Sequence, residues 1–385
     1  MEKGRDVGKT GWWVGVMLAT VLAGVQTATA PGVAGQIPWE EDGWRVQAQD
    51  ARVETYMGRE ALFLRGGTAW LDGAVLRDGV VEFDLAASPA QGFHGVRFRA
   101  EEPRTHEHIY LRPHLSGLPD ATQYNPVIQG VSSWQLYHGP PYTLPLEIPA
   151  DRWIRVQLAV LDGRAQLRVD GGEPRHYTAL VRPPVAGALG LTSSGAGAWF
   201  ANVVVRRGRS EAEAVLEAPP EAASRAAVGG EPSEGSEPRW RVSDPFAEER
   251  VDGVVELGGL AFAGMWQTVG TDHRGMVNLA RWAARSSDAN TVFAGLTLEA
   301  DEARTVMARL AFSDRARVFL NGRQLWSGAD EWSTRDYRFL GTAGYFDAIF
   351  LPLRPGANEL LVAVSEDFGG WVVGMTLPPE VEARP

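Results

Sequence analysis

The residues best suited to recognise a ligand lie between His106 and Tyr142, in the stretch HEHIYLRPHLSGLPDATQYNPVIQGVSSWQLYHGPPY. Histidine, arginine and amide side chains are concentrated here together with aromatic rings. Arginine and amides form forked hydrogen bonds to pairs of oxygen atoms, and Tyr or Trp offers a flat apolar surface to C–H groups. Polar and aromatic groups on loops between scaffold strands usually serve binding or catalysis. The stretch therefore indicates a site for a carbohydrate.

Alternating apolar residues predict which of these side chains share a surface. Val96 and Phe98 on one strand, and Ile109 and Leu111 on the next, are expected in the core, so the polar residues between them should lie together on the opposite face. The predicted floor of the site is Arg97, Arg99, His108, Tyr110, Arg112 and His114, and its predicted wall is Gln123, Tyr124, Asn125, Trp134, Gln135 and Tyr137. The alternative is a solvated sheet face plugged by the loop, although such a face would more typically carry Lys, Glu and Thr.

The histidines raise the question of a metal. His106 and His108 fall on one strand face with His114 nearby, but a tight site needs a third imidazole or carboxylate at fixed geometry. Glu107 has the wrong phase, and Asp120 is distant. We predict hydrogen-bonding histidines and no metal or other cofactor. Calcium, which sandwiches can hold between loop carboxylates and carbonyls, would need an Asp-rich loop that the sequence lacks.

The elements around this stretch have the period of two that is typical of half-buried antiparallel strands. Val81, Phe83 and Leu85, for example, alternate with Glu82 and Asp84. Asp-Gly pairs at 72–73, 78–79, 162–163 and 170–171 favour hairpin turns, because both residues tolerate positive φ. We predict an all-β chain in which residues 36–207 form a two-sheet sandwich.

Residues 208–239 have a different composition, rich in Ala, Glu, Pro, Ser and Gly and almost free of large apolar residues. Such a segment cannot bury enough surface to offset the entropy lost on ordering. We predict a disordered linker, which, if flexible, is long enough for two domains to orient independently. Strand patterns return over residues 240–380, where Asn321-Gly322 is the strongest hairpin signal, and predict a second β-sandwich.

The first 35 residues have the pattern of an export signal. Lys3, Arg5 and Lys9 precede an apolar run from Trp12 to Val25, which is followed by small residues. This run is shorter than the roughly 20 residues of a membrane span. We predict a signal peptide over residues 1–35, an exported protein, periplasmic or extracellular, and no stable membrane span after cleavage. The alternative is an uncleaved N-terminal anchor.

Composition excludes several classes of function. The 385 residues include no cysteine, which removes disulfides, thiolate metal sites and a thiol nucleophile. The formal net charge is −11, and no long Lys/Arg run is present, so a nucleic-acid partner is not expected.

The first domain resembles the concanavalin A-like lectin/glucanase sandwich and, within it, the exported domains named for 3-keto-disaccharide hydrolase activity. The resemblance is carried by GVRFRA (95–100), IYLRPH (109–114), GLPDATQYNPVIQG (117–130), WQLY (134–137), DRWIRVQLAV (151–160) and FANVVV (200–205). It implies a LamG-like fold and a carbohydrate-related role. Glu82 and Asp84 resemble part of the Glu-x-Asp-x-x-Glu pattern of laminarinase-type enzymes, but alanines occupy positions 86 and 87. We interpret this pair as structural and assign no catalytic residue.

The second domain resembles the galactose-binding-like jelly roll that accompanies many glycoside hydrolases. The matching segments are RLAFSDRARVFLNGRQLW (309–326) and LRPGANELLVAV (353–364). The large catalytic barrel that usually accompanies this fold is missing from the chain. The expected function is therefore an exported carbohydrate-binding protein whose first domain recognises a glycan. A glycan-processing enzyme that uses the same cleft, either a glycoside hydrolase or a 3-keto-disaccharide hydrolase-like enzyme, is one alternative, and a non-catalytic structural or adhesion module is another.

Overall fold

The computed structural model describes residues 36–39, 43–220, 239–258, 264–332, 334 and 342–385. Nearly all regular structure in these residues is β-strand, which confirms the predicted all-β class. The predicted signal peptide, residues 1–35, lies outside the described residues. No helix in the described part of the chain is long and apolar enough to cross a membrane.

Two packed sheets form the first sandwich. Its strands are β1 (Trp44–Gln47), β2 (Asp50–Tyr56), β3 (Arg59–Arg65), β4 (Gly67–Leu76), β5 (Gly79–Ala87), β6 (Gly92–Glu102), β7 (Thr105–Leu111), β8 (Thr122–Tyr124), β9 (Val127–Ile128), β10 (Val131–Ser132), β11 (Thr143–Leu144), β12 (Ile154–Leu161), β13 (Arg164–Val169), β14 (Arg175–Tyr177), β15 (Gly187–Gly195) and β16 (Ala198–Arg207). The nine-stranded front sheet has the order β1-β4-β15-β6-β7-β8-β11, with β9 and β10 attached beside β7. The seven-stranded back sheet has the order β14-β13-β12-β5-β16-β3-β2. A short 3-10 helix, Pro113–Leu115, follows β7.

The core of this sandwich lies where the alternation predicts it. Val81, Phe83 and Leu85 of β5 are buried and pack in one apolar cluster with Val96 and Phe98 of β6. Side chains of opposite phase in each strand point away from this cluster, because successive residues of a strand face opposite sides. The outer face of the front sheet is therefore the surface on which the candidate site is built.

The Asp-Gly pairs do not all form hairpins. Asp162 has a positive φ of 49° and begins the turn between β12 and β13, as predicted. Asp72 and Gly73 instead lie inside β4, where the pairing of β4 with β15 shifts register, so they form an irregularity within a strand. Asp78-Gly79 joins strands of different sheets, which makes it a crossover. The hairpin prediction was wrong at these last two pairs.

The start of the predicted linker is ordered against the first sandwich. Helix α1 (Arg209–Glu213) follows β16, and its Ala212 is fully buried. Farther along, the Gln166 side chain donates to the Val215 carbonyl at 3.0 Å and accepts from the Glu217 backbone N–H at 2.8 Å. The prediction of disorder was wrong for this part, because a few small apolar residues and one buried amide suffice to hold it. Residues 221–238 lie outside the described residues.

The second sandwich is smaller. It contains β17 (Arg239–Ser243), β18 (Trp266–Gly270), β19 (Met276–Asn278), β20 (Thr291–Ala300), β21 (Arg304–Ser313), β22 (Arg315–Leu320), β23 (Arg323–Ala329), β24 (Asp347–Leu353), β25 (Gly356–Ser365), β26 (Val372–Thr376) and β27 (Glu382–Arg384), with 3-10 helices Glu248–Arg250 and Leu279–Arg281. One sheet has the order β18-β17-β20-β25-β22-β23 with β27 beside β20, and the other has the order β19-β26-β21-β24. Asn321 and Gly322 both have positive φ between β22 and β23, which confirms the predicted hairpin.

Residues 125–142 of the first sandwich form a loop, the docking loop, that packs against the second sandwich. Its residue Gln135 bonds three times across the boundary: its N–H donates to the Gly369 carbonyl, its carbonyl accepts from the Ala343 N–H, and its side chain accepts from the Ser313 hydroxyl, each at 2.9 Å. Gly369 has a φ of 113°, and a Cβ there would come within 2.1 Å of the Gln135 side chain. Only glycine permits this approach.

Two further contacts strengthen the same boundary. Arg274 of the second sandwich donates to the Leu136 carbonyl at 2.5 Å and lies 5.2 Å from the centre of the Tyr137 ring. Asn278 donates to the Ser133 hydroxyl at 3.2 Å. The docking loop thus joins the two sandwiches through buried and partly buried hydrogen bonds, and the domains in this structure are held in contact.

Candidate ligand-binding site

The outer face of the front sheet brings three of the predicted floor residues together with one predicted wall residue. Arg97 of β6 pairs with His108 of β7, and Tyr110 of β7 pairs with Gln123 of β8. Directly opposed side chains in antiparallel strands have Cβ atoms about 4.5–5.5 Å apart. The His108 and Tyr110 rings are 4.8 Å apart at their centres. Arg97, His108, Tyr110 and Gln123 thus form one continuous polar and aromatic strip.

At one end of the strip, Arg112 is held by its neighbours. One guanidinium nitrogen donates to Asp120 at 2.8 Å, and the other donates to the Gln123 side-chain oxygen. The Tyr110 hydroxyl donates to the same oxygen at 2.7 Å, and the Gln123 amide donates to the carbonyls of Trp134 and Tyr137. Apart from Asp120, these side chains are nearly fully buried and bond to one another, although the buried Arg112 Nε has no partner among the described residues. This end of the strip is therefore rigid and has little hydrogen-bonding capacity left for a ligand.

At the other end of the strip, around Arg97, several polar atoms have no hydrogen-bond partner among the described residues. The Arg97 side chain is half-buried, and its Nε has no hydrogen-bond partner among the described residues. The Nε2 atoms of His106 and His108 are also buried without a partner there. An unsatisfied buried polar atom costs about 1–3 kcal/mol, so these three atoms on adjacent side chains are candidates for hydrogen bonds to a molecule from outside the chain, water included.

Burial controls the protonation of these groups. It lowers the pKa of Arg97 to about 10, which still leaves the guanidinium charged near neutrality. Burial, followed by the neighbouring Arg97 charge, lowers the pKa of His106 to about 3 and holds that of His108 well below its usual range. Near neutral pH, Arg97 is therefore charged, and His106 and His108 are both neutral.

Two residues that were not predicted complete this end of the strip. Trp70 of β4 lies beside Gly190 of β15, where a Cβ would come within 2.9 Å of the indole, and its ring meets His106 edge to face at 6.1 Å. His106 was expected to be a hydrogen-bonding histidine rather than a metal ligand, but it was not among the predicted site residues. Trp70 could have been predicted from the alternation of β4, because its neighbours Ala69 and Leu71 belong to the core, which places Trp70 on the outer face.

Arg99 does not share the face of Arg97, and its predicted position was wrong. Arg99 has a positive φ of 50° at the place where the β6–β7 pairing shifts register, so the side-chain alternation is broken there. Its fully buried guanidinium donates to the Arg77 carbonyl at 2.7 Å and forms an ion pair with Asp78 at 3.2 Å. Arg99 therefore joins strands inside the sandwich.

Tyr124 also lies on the inner side of the front sheet. Its ring belongs to the apolar core, and its hydroxyl donates to the Glu107 carboxyl at 2.5 Å while accepting from the Val181 N–H at 3.0 Å. Burial raises the pKa of Glu107 to about 7, against the lowering effects of this hydrogen bond and of nearby arginines. The prediction of Tyr124 as part of the wall was wrong in position, because it alternates with Gln123.

The remaining wall residues belong largely to the docking loop. Asn125 holds the loop by donating to Ser132 and accepting from the Ser133 N–H, both at 2.9 Å. Gln135 and Tyr137 face the second sandwich, as described above. Trp134 is half-buried and lies 6.0 Å from the exposed Phe368 ring of the second sandwich. Trp134 and Phe368 thus form an aromatic pair beside the Gln123 end of the strip.

His114 lies at the margin of the floor. Its Nδ1 accepts from the Gly92 N–H at 3.3 Å, and its ring meets Phe93 edge to face. Burial lowers its pKa. Phe93 also lies beneath the Arg112 guanidinium, so His114 is connected to the rigid end of the strip through this ring.

Other candidate centres have a structural explanation. Glu82 and Asp84 lie on the back sheet, where Arg155 bonds to both carboxylates and Arg206 bonds to Glu82. The pair is neutralised by arginines, in agreement with its structural interpretation. In the described part of the chain, no group of three or more His, Asp or Glu side chains is arranged to hold a metal ion. A cleft of about 460 Å³ in the second sandwich is lined by Arg315 and Arg317, which are already paired with acidic residues.

Comparison with known proteins found similar solved structures. The carbohydrate-binding module CBM66 from Bacillus subtilis shares 13% identity over 46% of this chain and 99% of its own, with a TM-score of 0.33. A β-glucanase from Bacillus licheniformis shares 12% identity over 46% of this chain and 96% of its own, with a TM-score of 0.32. The Caenorhabditis elegans galectin LEC-6 shares 13% identity over 34% and 84%, with a TM-score of 0.26. No protein-family model matches the chain, and no match was found among curated proteins.

The likeness concerns the fold alone. Evidence about a ligand comes from the side chains of the front sheet.

Proposed function

We propose that this chain is an exported protein that binds a carbohydrate on the outer face of its front sheet. The supporting observation is a cluster of three buried atoms, Arg97 Nε, His106 Nε2 and His108 Nε2, which have no partner in the described part of the chain and lie on neighbouring positions of one sheet face. A sugar ring presents several hydroxyl groups at close spacing, and each can donate and accept a hydrogen bond. Such a ligand can satisfy the whole cluster at once.

An aromatic surface at the Gln123 end of the strip supports the same proposal. The Trp134–Phe368 pair lies there and Phe368 is exposed, whereas the Trp70 and Tyr110 rings are buried beside His106 and His108. Aromatic rings suit the C–H faces of sugars, since they present a flat apolar surface. Phe368 comes from the second sandwich, which gives that domain a part in the site.

The test is a glycan array probed with the full chain, followed by calorimetric titration of any ligand found. His108→Ala should weaken binding roughly 5- to 150-fold, since leaving a buried polar group of the complex unsatisfied costs on the order of 1–3 kcal/mol. His176→Ala is the matched control, because His176 is on β14 of the back sheet. Circular dichroism of both variants establishes that equal amounts of folded protein are compared.

The outcomes separate the three readings of the sequence. Binding that His108→Ala weakens and His176→Ala preserves supports the proposal. Absence of binding to any glycan would refute it in favour of the structural or adhesion module. Release of new reducing ends during incubation would indicate the glycan-processing enzyme instead.

A further inference from the structure

We infer that the carbohydrate bound at this face carries an anionic group, a carboxylate or a sulfate ester, which Arg97 receives, next to a free hydroxyl that donates to His106. This inference rests on the proposed function and specifies its ligand class. It comes from the charge and hydrogen-bonding state of two side chains.

Arg97 differs from the other poorly exposed arginines around it. Arg99 pairs with Asp78, Arg112 with Asp120, Arg182 with Glu101, and Arg274 with Asp272. For Arg97, the described residues provide neither a carboxylate within ion-pair distance nor any hydrogen-bond acceptor. A buried cation without a counter-charge is unfavourable, and a guanidinium is the side chain best matched to a two-oxygen anion. The missing partner of Arg97 is therefore an oxyanion.

His106 specifies the neighbouring ligand group. Its Nδ1 lies 3.1 Å from the Pro103 carbonyl oxygen, and because a carbonyl can only accept, Nδ1 carries the proton. In the neutral ring, Nε2 is then an acceptor for which the described residues supply no donor. An acceptor in this position repels a bare anion and requires a donor, such as a hydroxyl group. A simple phosphate or sulfate ion satisfies Arg97 but not His106.

His108 is compatible with either group. Its Nε2 is free, and no hydrogen bond fixes its tautomer within the described residues, so it can donate to the anion or accept from a hydroxyl. The three side chains together suit a hydroxylated ring that bears one negative charge. Hexuronic acids and sulfated sugars both have this chemistry.

The experiment compares matched ligands. A panel of hexuronate oligosaccharides of different linkages is titrated into the full chain, each beside its carboxyl-reduced counterpart, in which a primary alcohol replaces the carboxylate. A sulfated neutral oligosaccharide and its desulfated form make a second pair, which distinguishes the two sources of the anion. We expect at least one anionic member to bind roughly 10- to 100-fold more tightly than its neutral counterpart, the range for a hydrogen bond to a charged group.

Substitutions of Arg97 test whether this residue causes the preference for the anionic ligand. Arg97→Gln should remove the preference for the anionic member while leaving the Kd of the neutral member unchanged. Arg97→Lys, which keeps the charge and loses the planar fork, should retain part of the preference. Arg164→Gln is the matched control, because it removes the same charge from an exposed position on the back sheet.

Equal binding of anionic and neutral members would overturn this inference and leave the proposed function standing. Failure of every glycan to bind would overturn both. A preference that survives Arg97→Gln but disappears with Arg164→Gln would also overturn the inference, since the anion would then be recognised elsewhere.

Discussion

Glu107 should make the stability of the protein fall as the pH rises through neutrality. Its carboxyl is fully buried on the inner side of the front sheet, and one oxygen has no hydrogen-bond partner among the described residues. Burial raises its pKa from 4.5 to about 7. Because the folded state binds this proton more tightly than the unfolded state, the group contributes its full stability below pH 4.5. That contribution is lost as the pH rises through 7.

The size of the effect follows from the shift. The raised pKa corresponds to roughly 3 kcal/mol of stability, and most of it is lost between pH 5 and pH 8. Glu107→Gln removes the ionisation and keeps an oxygen that can accept from Tyr124. Relative to the wild type, the variant should therefore gain roughly 2–3 kcal/mol in free energy of unfolding between pH 5 and pH 8.

Urea unfolding followed by tryptophan fluorescence, at half-unit steps from pH 5 to pH 8, measures this difference. Taking the variant minus the wild type at each pH cancels the titration of every other group. Glu60→Gln, which removes an exposed carboxylate on β3, controls for the change in net charge. A Glu107→Gln difference that is the same at pH 5 and pH 8 would refute the reasoning, because it would mean that Glu107 titrates alike in the folded and unfolded states.

Three further measurements test other parts of the structure. Asp78→Ala leaves the buried Arg99 without its partner and should lower the free energy of unfolding, measured in urea, by about 3–5 kcal/mol. Asp50→Ala, at an exposed ion pair, should lower it by less than about 1 kcal/mol. Similar losses in the two variants would contradict the argument from burial. Gln135→Ala removes the acceptor of the Ser313 hydroxyl and should lower the free energy of unfolding by about 1–3 kcal/mol, seen in calorimetry as a lower unfolding temperature of the docked second sandwich. An unchanged thermogram would contradict this docking. The Kd for the glycan should be constant between pH 5 and pH 8, because His106 and His108 stay neutral and Arg97 stays charged. A rise in affinity below pH 6.5 in titration calorimetry would contradict this, since it would mean that a histidine must be protonated for binding.

The sequence was sufficient for the strands and for half of the site. A period of two determines the face of each residue once the core residues are recognised, so Arg97, His108, Tyr110 and Arg112 could be placed together. The same rule applied to Tyr124 would have sent it inward, since it follows Gln123 directly. That error came from grouping the residues of a loop by chemistry without following their phase.

Other features depend on contacts that are distant in the chain. The irregularity at Arg99 arises where three strands adjust their registers to one another, and the sequence of β6 alone has no sign of it. The docking loop resembles a ligand-binding loop in composition, because contacts with a domain and contacts with a ligand both use amides and aromatic rings. Only the position of the second sandwich shows which of the two contacts this loop makes. Local composition also failed at residues 209–217, where a short helix and a buried Gln166 supply the order.

The docking loop has a practical consequence for anyone who divides this chain into domains. A fragment that ends near residue 220 would keep every strand of the first sandwich but would expose the carbonyls of Gln135 and Leu136 and the edge of Ile128 and Val131, which pack in the apolar cluster of the second sandwich. Such a surface favours self-association in solution. Loss of glycan binding by that fragment would therefore reflect a disturbed loop as readily as a missing sugar contact, and binding studies need both sandwiches in one chain.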